Sequence, residues 1–451
     1  MTRRRSRPVS LNRDPFPLNR APSPTRNPAL LAVALGAFCV QLDAFALNLV
    51  LPVLRTDLRG SPAATPWIVS GYLLAAGALM PVAGRLGDLY GRRRMLLLGL
   101  GLFGGSAAWC ALAPSVPVLV AARVVQGAGG ALIMPVGLAL LTNVFPSQCR
   151  RRAIGRALGL AGLGTVGGPF LGGALAQGAS WRAVFWLTVP LTAAAVLCAR
   201  RATESRDPAA TGHPLDAAGT VTATAAPACL ALWLQHPADW AWAAGALLLG
   251  AAFVRAERRC RAPLVDLGLF RNRPYVALTA AGAVANSATV ALLYAVPLTL
   301  QQTPGRSPLG TGAAFLAPAA ALALGGPLAG RVRPAAAVPV MAGCLGTAAP
   351  ALMAVGCATG PAALLMAATT AALALGAAGG LALTGTQAVV HPGRAGEASG
   401  VTKSVMTVTA GVGLTLSGTP AAPGAHPALV LPAALCLTTA PAVALAVRRL
   451  R

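Results

Sequence analysis

At 451 residues the chain carries 36 Lys and Arg against 11 Asp and Glu, yet only 10% of it is charged and 56% is hydrophobic. Soluble domains carry about 25% charged residues, so an ordinary water-facing surface is excluded. The net charge of +25 is scattered singly and in small clusters between apolar runs. No zinc-finger spacing or aromatic–basic pattern accompanies it, which excludes a nucleic-acid reader.

In chain order, residues 1–27, rich in Arg and Pro, read as a disordered cytoplasmic tail. A signal peptide is the rival, but the first apolar run contains Asp43 and lacks a small-x-small cleavage site, so it reads as a retained helix. Fourteen apolar runs follow, at 29–52, 66–86, 95–113, 117–140, 153–177, 182–199, 217–235, 239–255, 275–300, 311–330, 335–357, 361–389, 400–420 and 428–447. Most approach or exceed the roughly 20 residues that cross a bilayer. The pair 217–235 and 239–255 is the weakest, because Pro227, His236, Pro237 and Asp239 crowd its boundary. Twelve spans is the alternative.

With the N-terminus inside, 31 of the 36 basic residues fall on one side, Lys403 counted among them, and four on the other. That asymmetry fits fourteen spans with both termini cytoplasmic, and the basic segments suit anionic lipid headgroups. The expected fold is an all-α polytopic membrane protein. It has a six-helix bundle over 28–200, two linker spans with flanking loops over 201–273, and a six-helix bundle over 274–451. The bundles are related by a pseudo-two-fold axis around a central pathway. The nine cysteines form no C-x-x-C pair and mostly sit in apolar runs, which argues against a disulfide or metal framework. His213, His236, His391 and His426 all fall in predicted loops.

Asp43 and Arg123 are the two charged residues placed well inside predicted spans. Charge in lipid is costly and marks a functional interior. Asp43 lies about 14 residues beyond the inner boundary of its span, roughly 20 Å. Arg123 lies about six residues within the outer boundary, roughly 10 Å deep. Both therefore reach similar depths and can pair or share a wet cavity. Bundle movement would then exchange a proton at Asp43. A fixed ion pair and a cation-selecting vestibule are the alternatives. Asn48 is either a cavity hydrogen-bonder or satisfied by a neighbouring helix. Tyr72 can line the outer pathway, and Trp67 anchors at the lipid interface. Gln301 and Gln302 are weaker cavity candidates. The stretch GLGTVGGPFLGG, 162–173, is too small on one face to fill space and wants a helix at short distance, with Pro169 bending it. Asp88, between Gly87 and Gly91, can cap the next helix or pair with arginines.

These stretches together resemble the major facilitator superfamily. GRLGDLYGRRR, 84–94, is similar to its loop signature through Gly84, Leu86, Asp88, Gly91, Arg92 and Arg93. VLVAARVVQGAGGA, 118–131, resembles its fourth-span signature through Arg123, Gln126, Gly127 and Gly129. In 162–173, Gly164, Gly168, Pro169, Gly172 and Gly173 match the fifth-span signature of its antiporter branches. LDAFALNLVLP, 42–52, resembles the first span of the fourteen-span drug:proton antiporters through Asp43, Asn48 and Pro52. WRAVFWLTVP at 181–190, PLVDLGLF and GRSPLGTGAAFLAP at 305–318 are weaker echoes. The resemblance covers about 28–420. The chain departs from it at Phe45, where the family has a hydroxyl residue, and at GPLAGRVRP, 326–334, a worn counterpart of the loop signature.

The resemblance implies a conformational latch at Asp88, Arg92 and Arg93, and antiporter helix packing at the five matched residues of 162–173. Phe45, Asn48, Tyr72 and Gln126 are the candidate cavity residues. The expected activity is proton-coupled efflux of lipophilic or amphiphilic small molecules, such as drugs or antibiotics, across the plasma membrane. It implies a secondary transporter rather than an enzyme, acting as a monomer, with no cofactor or metal beyond the proton as coupling ion. No G-x-x-x-x-G-K-[ST] loop occurs that would power a pump. A proton-coupled importer and a non-transporting receptor or scaffold are the alternatives.

Overall fold

The computed structural model describes residues 27–61, 64–206, 217–260, 263–302, 307–333, 336–391, 395–417 and 427–448. Residues 1–26 of the expected tail, His213 and His426 lie outside them. His236 and His391 fall between helices, as expected. The described chain is helical throughout, with no strand. Its helices are α1 (Pro28–Asp57), α2 (Trp67–Tyr90), α3 (Arg92–Ala111), α4 (Val116–Val144), α5 (Ser147–Gly178), α6 (Arg182–Arg200), α7 (Ala217–Gln235), α8 (Trp240–Arg259), α9 (Arg273–Gln302), α10 (Pro308–Ala314), α11 (Leu316–Ala329), α12 (Ala337–Gly356), α13 (Pro361–Ala388), α14 (Ala395–Ser417) and α15 (Pro427–Arg448). α10 and α11 are two pieces of one rod. Ser307 caps the first piece by accepting from the Gly310 amide at 3.0 Å, and the break falls at Phe315. The sequence predicts an unbroken span there.

Local chemistry sets the ends. Asn27 accepts from the Ala29 amide at 2.9 Å, and Pro28 supplies a first-turn residue that needs no donor. α2 ends at Gly91, whose φ of 106° reverses the chain directly into α3. Ten rods are long and apolar enough to cross a membrane among the described residues. α8 and α14 are not among them; their charged residues (Arg255, Glu257, Arg258 and Arg259; Glu397 and Lys403) lower their hydropathy. α7 and α15 offer only shorter apolar stretches, 218–234 and 429–442. Large apolar side chains are exposed around the outside, among them Trp109, Leu163, Trp186, Leu247, Met366 and Leu437. Water would penalise such a surface; lipid tails do not.

α1 to α6 pack largely on one another, and α9 to α15 do the same. The pairings repeat: α1 with α5 and α6, α3 with α4 and α6, and α2 with α4 correspond to α9 with α14 and α15, α12 with α13 and α15, and α11 with α13. The two groups meet along α2–α14 and along α5–α10. α7 lies against both α2 and α14, while α8 packs chiefly on α7.

Contacts between the groups gather in the middle and toward the end that carries Asp57. There Leu414, Val290 and Tyr294 join Leu47, Val50, Leu54 and Ile68 in one apolar cluster. Gln301 also donates to the Leu49 carbonyl at 2.7 Å. Toward the Gly91 end, the cluster around Val33, Leu96, Leu140 and Ala199 draws on the first group alone.

Candidate functional site

Asp43, Arg123 and Gln126 form a closed polar core in the first group. Asp43 rises from α1, Arg123 and Gln126 from α4, and all three are buried to within 1% exposure. Arg123 Nη1 donates to Asp43 Oδ2 at 2.5 Å and to Gln126 Oε1 at 2.6 Å. Gln126 Nε2 completes the triangle by donating to Asp43 Oδ1 at 3.1 Å. Arg123 Nε donates to the Ile68 carbonyl at 3.1 Å, and its guanidinium lies 4.4 Å from the Tyr72 ring centre. The depth matching expected from sequence therefore ends in direct contact. Such a pair tolerates burial because both Asp43 oxygens and the Arg123 Nε and Nη1 groups find hydrogen-bond partners.

Small residues make the approach possible. A Cβ at Gly127 would stand 2.5 Å from the Tyr72 carbonyl oxygen, and one at Gly130 would stand 2.6 Å from the Tyr72 hydroxyl. Gly127 and Gly130 thus seat α2 against α4, while Gly129 brings α3 close, its ideal Cβ 2.7 Å from Phe103 N. Two members escape sequence reasoning. The Ile68 carbonyl carries no side-chain signal, and Cys110, read as a small hydrophobe, has its Sγ 3.6 Å from Gln126 Oε1.

The other cavity candidates pack rather than gather. Phe45 is buried in a cluster shared with the second group. Asn48 is buried and donates to the Ala44 carbonyl of its own helix at 2.9 Å. The side chain of Gln302 lies outside the described set.

At the Gly91 end, Arg92 Nη2 pairs with Asp88 at 2.8 Å. The Arg92 amide donates to the Ser205 carbonyl at 2.9 Å. The Arg93 amide donates to Glu204 at 2.9 Å, and its guanidinium bonds the carbonyls of Ala199 and Arg200. A Cβ at Gly91 would fall 2.7 Å from the Glu204 carboxylate. The arginine-rich turn thus fastens the segment after α6 to α2 and α3. Glu204 has no sequence signal, because its partners lie more than a hundred residues away. At the opposite end, Asp57 accepts from Trp181 Nε1 and Arg182 Nη1, both at 2.7 Å, and ties α1 to α6.

The glycine face of α5 behaves as its composition demands. Cβ atoms at Gly164, Gly168 and Gly172 would stand 2.7 Å from the Phe38 carbonyl, 2.8 Å from Phe45 and 2.6 Å from the Ala46 carbonyl, all on α1. Gly173 faces the Pro308 carbonyl on α10, and Gly312 of α10 faces the Pro169 carbonyl at 2.5 Å from its ideal Cβ position. One short helix face therefore holds both α1 and the second group.

One helix boundary differs from the sequence reading. Lys403 is counted from sequence with the inner segment, but α14 begins at Ala395, five residues before the predicted span. Lys403 lies eight residues into it, about 12 Å along the axis at 1.5 Å per residue. Its place along α14 resembles that of Arg156, nine residues into α5.

Residues 33–414 match the sequence profile of the Major Facilitator Superfamily. The tetracenomycin C resistance and export protein of Streptomyces glaucescens is 34% identical over 313 residues, covering 68% of this chain and 58% of that protein. The multidrug efflux pump LfrA of Mycolicibacterium smegmatis is 36% identical over 306 residues, covering 64% and 60%. The chain thus spans about three-fifths of the length of these curated relatives. Among solved structures, an auto-inhibited peptide transporter of the POT family superposes with a TM-score of 0.69 at 14% identity, covering 94% of this chain and 97% of that one. That likeness concerns the fold.

Proposed function

Because this chain belongs to the Major Facilitator Superfamily, we propose that it exports lipophilic or amphiphilic small molecules, such as drugs or antibiotics, across the plasma membrane in exchange for protons. The observation that carries the proton coupling is the buried Asp43–Arg123–Gln126 triangle. Relatives named for drug and antibiotic export support the direction and the class of cargo.

In this reading all fourteen rods span the bilayer, as in the fourteen-span antiporter branch, with both termini cytoplasmic and the basic segments against anionic lipids. Residues 28–200 and 274–451 are the two bundles, related by a pseudo-two-fold axis, with 201–273 between them; the repeated helix pairings support this division. The chain works as a monomer. The Asp57 end is then extracellular. Contacts concentrated in the middle and toward that end fit a carrier closed outward and parting inward.

The path from proton to movement is short. A proton on Asp43 removes its charge and weakens its hold on Arg123, which joins α1 to α2 and α4. One turn further along α1, Ala46 touches Gly172 of α5, and the adjacent Gly173 touches α10. A small rotation of α1 is thereby passed to the bundle seam, where tightly packed helices shift between discrete arrangements. Asp88, Arg92 and Arg93 latch the inner end of the first bundle during this exchange. Phe45, Asn48, Tyr72 and Gln126 flank the route of the cargo.

Everted membrane vesicles test the reading with ethidium and Hoechst 33342 as probes. Dye accumulation is expected to need an acid interior and to fall at least tenfold when the pH gradient is collapsed. Accumulation that continues unchanged after collapse contradicts proton coupling.

A further inference from the structure

Lys403, in the helix that joins the two groups, has no counter-charge among the described residues. Its neighbour Ser404 donates to the Gly77 carbonyl of α2 at 2.5 Å. Lys403, Thr407, Ala410 and Leu414 follow one another at helical spacing along one side of α14. Leu414 ends that row in the apolar cluster of the first group, with Leu47, Ile68 and Val69. A different row, Ala398 and Val401, packs against Val265 and Leu269 before α9. Lys403 therefore stands on the side of α14 turned toward the first group, and it is only half-buried.

The described carboxylates are engaged elsewhere. Asp43 and Asp88 pair with Arg123 and Arg92, and Asp57 with Arg182. Glu204 accepts from the Arg93 amide, Glu257 from the Val265 amide, and Glu397 from the Asp266 amide. Asp239 caps α8, and Asp266 caps the short 3-10 turn Leu267–Arg271. No ion pair to Lys403 occurs among the described residues. A half-buried cation turned toward a bundle interior is stabilised by an anionic partner, and charged residues facing such an interior mark substrate paths. An anionic group on a ligand would supply that compensation.

We propose that Lys403 recognises an anionic group, a carboxylate or an acidic phenol, on a lipophilic exported molecule. The inference rests on the export reading and adds amphiphilic organic anions to its cargo. A Lys ammonium is a compact point charge on a flexible stem, so it selects for charge while the apolar walls accept varied ring systems. The side of α14 that carries Lys403 faces the other helix group and not the α8 side, which favours a transported solute over a lipid headgroup.

The test uses purified full-length protein in phosphatidylcholine nanodiscs, with binding read by energy transfer from tryptophan to pyrene. The probes are 1-pyrenebutyrate and its neutral analogue 1-pyrenebutanol. Wild type is expected to bind the acid at least tenfold more tightly than the alcohol. Lys403→Met should reduce that ratio to within twofold, with alcohol binding retained, while Lys403→Arg keeps the preference. Lys403→Gln replaces the methionine variant if the latter does not fold. Equal binding of acid and alcohol by wild type, or a preference that survives loss of the cation, overturns the assignment. So does displacement of pyrenebutyrate by added phosphatidylglycerol, which would assign the site to a lipid headgroup. Dye export by a wild type that lacks the acid preference removes the Lys403 assignment alone. A wild type that binds neither probe and exports no dye removes the export reading with it.

Discussion

Arg123→Ala is expected to destabilise the folded protein by about 3–5 kcal/mol, the usual result of removing one partner from a buried ion pair. The deletion strands Asp43, which is fully buried, and also frees the Ile68 carbonyl and Gln126 Oε1. Thermal unfolding in detergent, with size-exclusion profiles, reads the effect. Arg123→Lys should recover only part of it. Lysine restores the charge but not the planar fork that reaches Asp43, Gln126 and the Ile68 carbonyl together. Combining Asp43→Asn with Arg123→Ala should destabilise less than the sum of the single changes, since it leaves no buried charge behind. An Arg123→Ala protein that melts like wild type would mean that the triangle does not hold α1, α2 and α4 together.

Gly172→Val is expected to reduce export at least tenfold and to cost about 1–3 kcal/mol of stability through overpacking. The new Cβ would stand 2.6 Å from the Ala46 carbonyl oxygen and 2.9 Å from its Cα. Both are backbone atoms that cannot swing aside, so α1 and α5 must part. Because Gly173 meets α10 next door, the displacement reaches the seam between the helix groups. Gly167, on the same helix, has nothing within 4 Å of its ideal Cβ position, and Gly167→Ala serves as the matched control with flux near wild type. Dye flux per folded molecule separates the two. Equal flux from both variants would remove the α1–α5–α10 contact from the transport cycle.

The helices were legible because apolar runs of bilayer length, cut by basic loops, leave few other solutions. Asp43 and Arg123 were legible for the opposite reason: a charge inside such a run is conspicuous, and helical rise converts its position into depth. The α5 face was legible because five small or bending residues on one stripe require a close neighbour. What stayed hidden depends on contacts with no local pattern. Glu204 acquires its role only when α6 returns to Gly91. The Ile68 carbonyl is invisible in any sequence. The break at Phe315 divides a run that reads as continuous. The start of α14 was obscured by AGEASG, which reads as a loop. In the fold, Tyr275 donates to the Ala398 carbonyl at 3.2 Å, and Thr279 shares a 3.0 Å hydrogen bond with Thr402, docking that turn onto α9. The earlier start of α14 puts Lys403 eight residues into the helix rather than three.

Proton coupling through Asp43 is tested most directly by Asp43→Asn in proteoliposomes, with substrate flux and internal pH followed together. Asparagine keeps the shape and a carbonyl oxygen for Arg123 but cannot carry a proton in exchange. The variant is expected to fold, to bind the dye, and to equilibrate it between the two sides without a gradient. Substrate-dependent proton movement and gradient-driven accumulation should be lost. Gradient-driven accumulation at the wild-type level, with protons still moving against dye, would contradict the role given to Asp43.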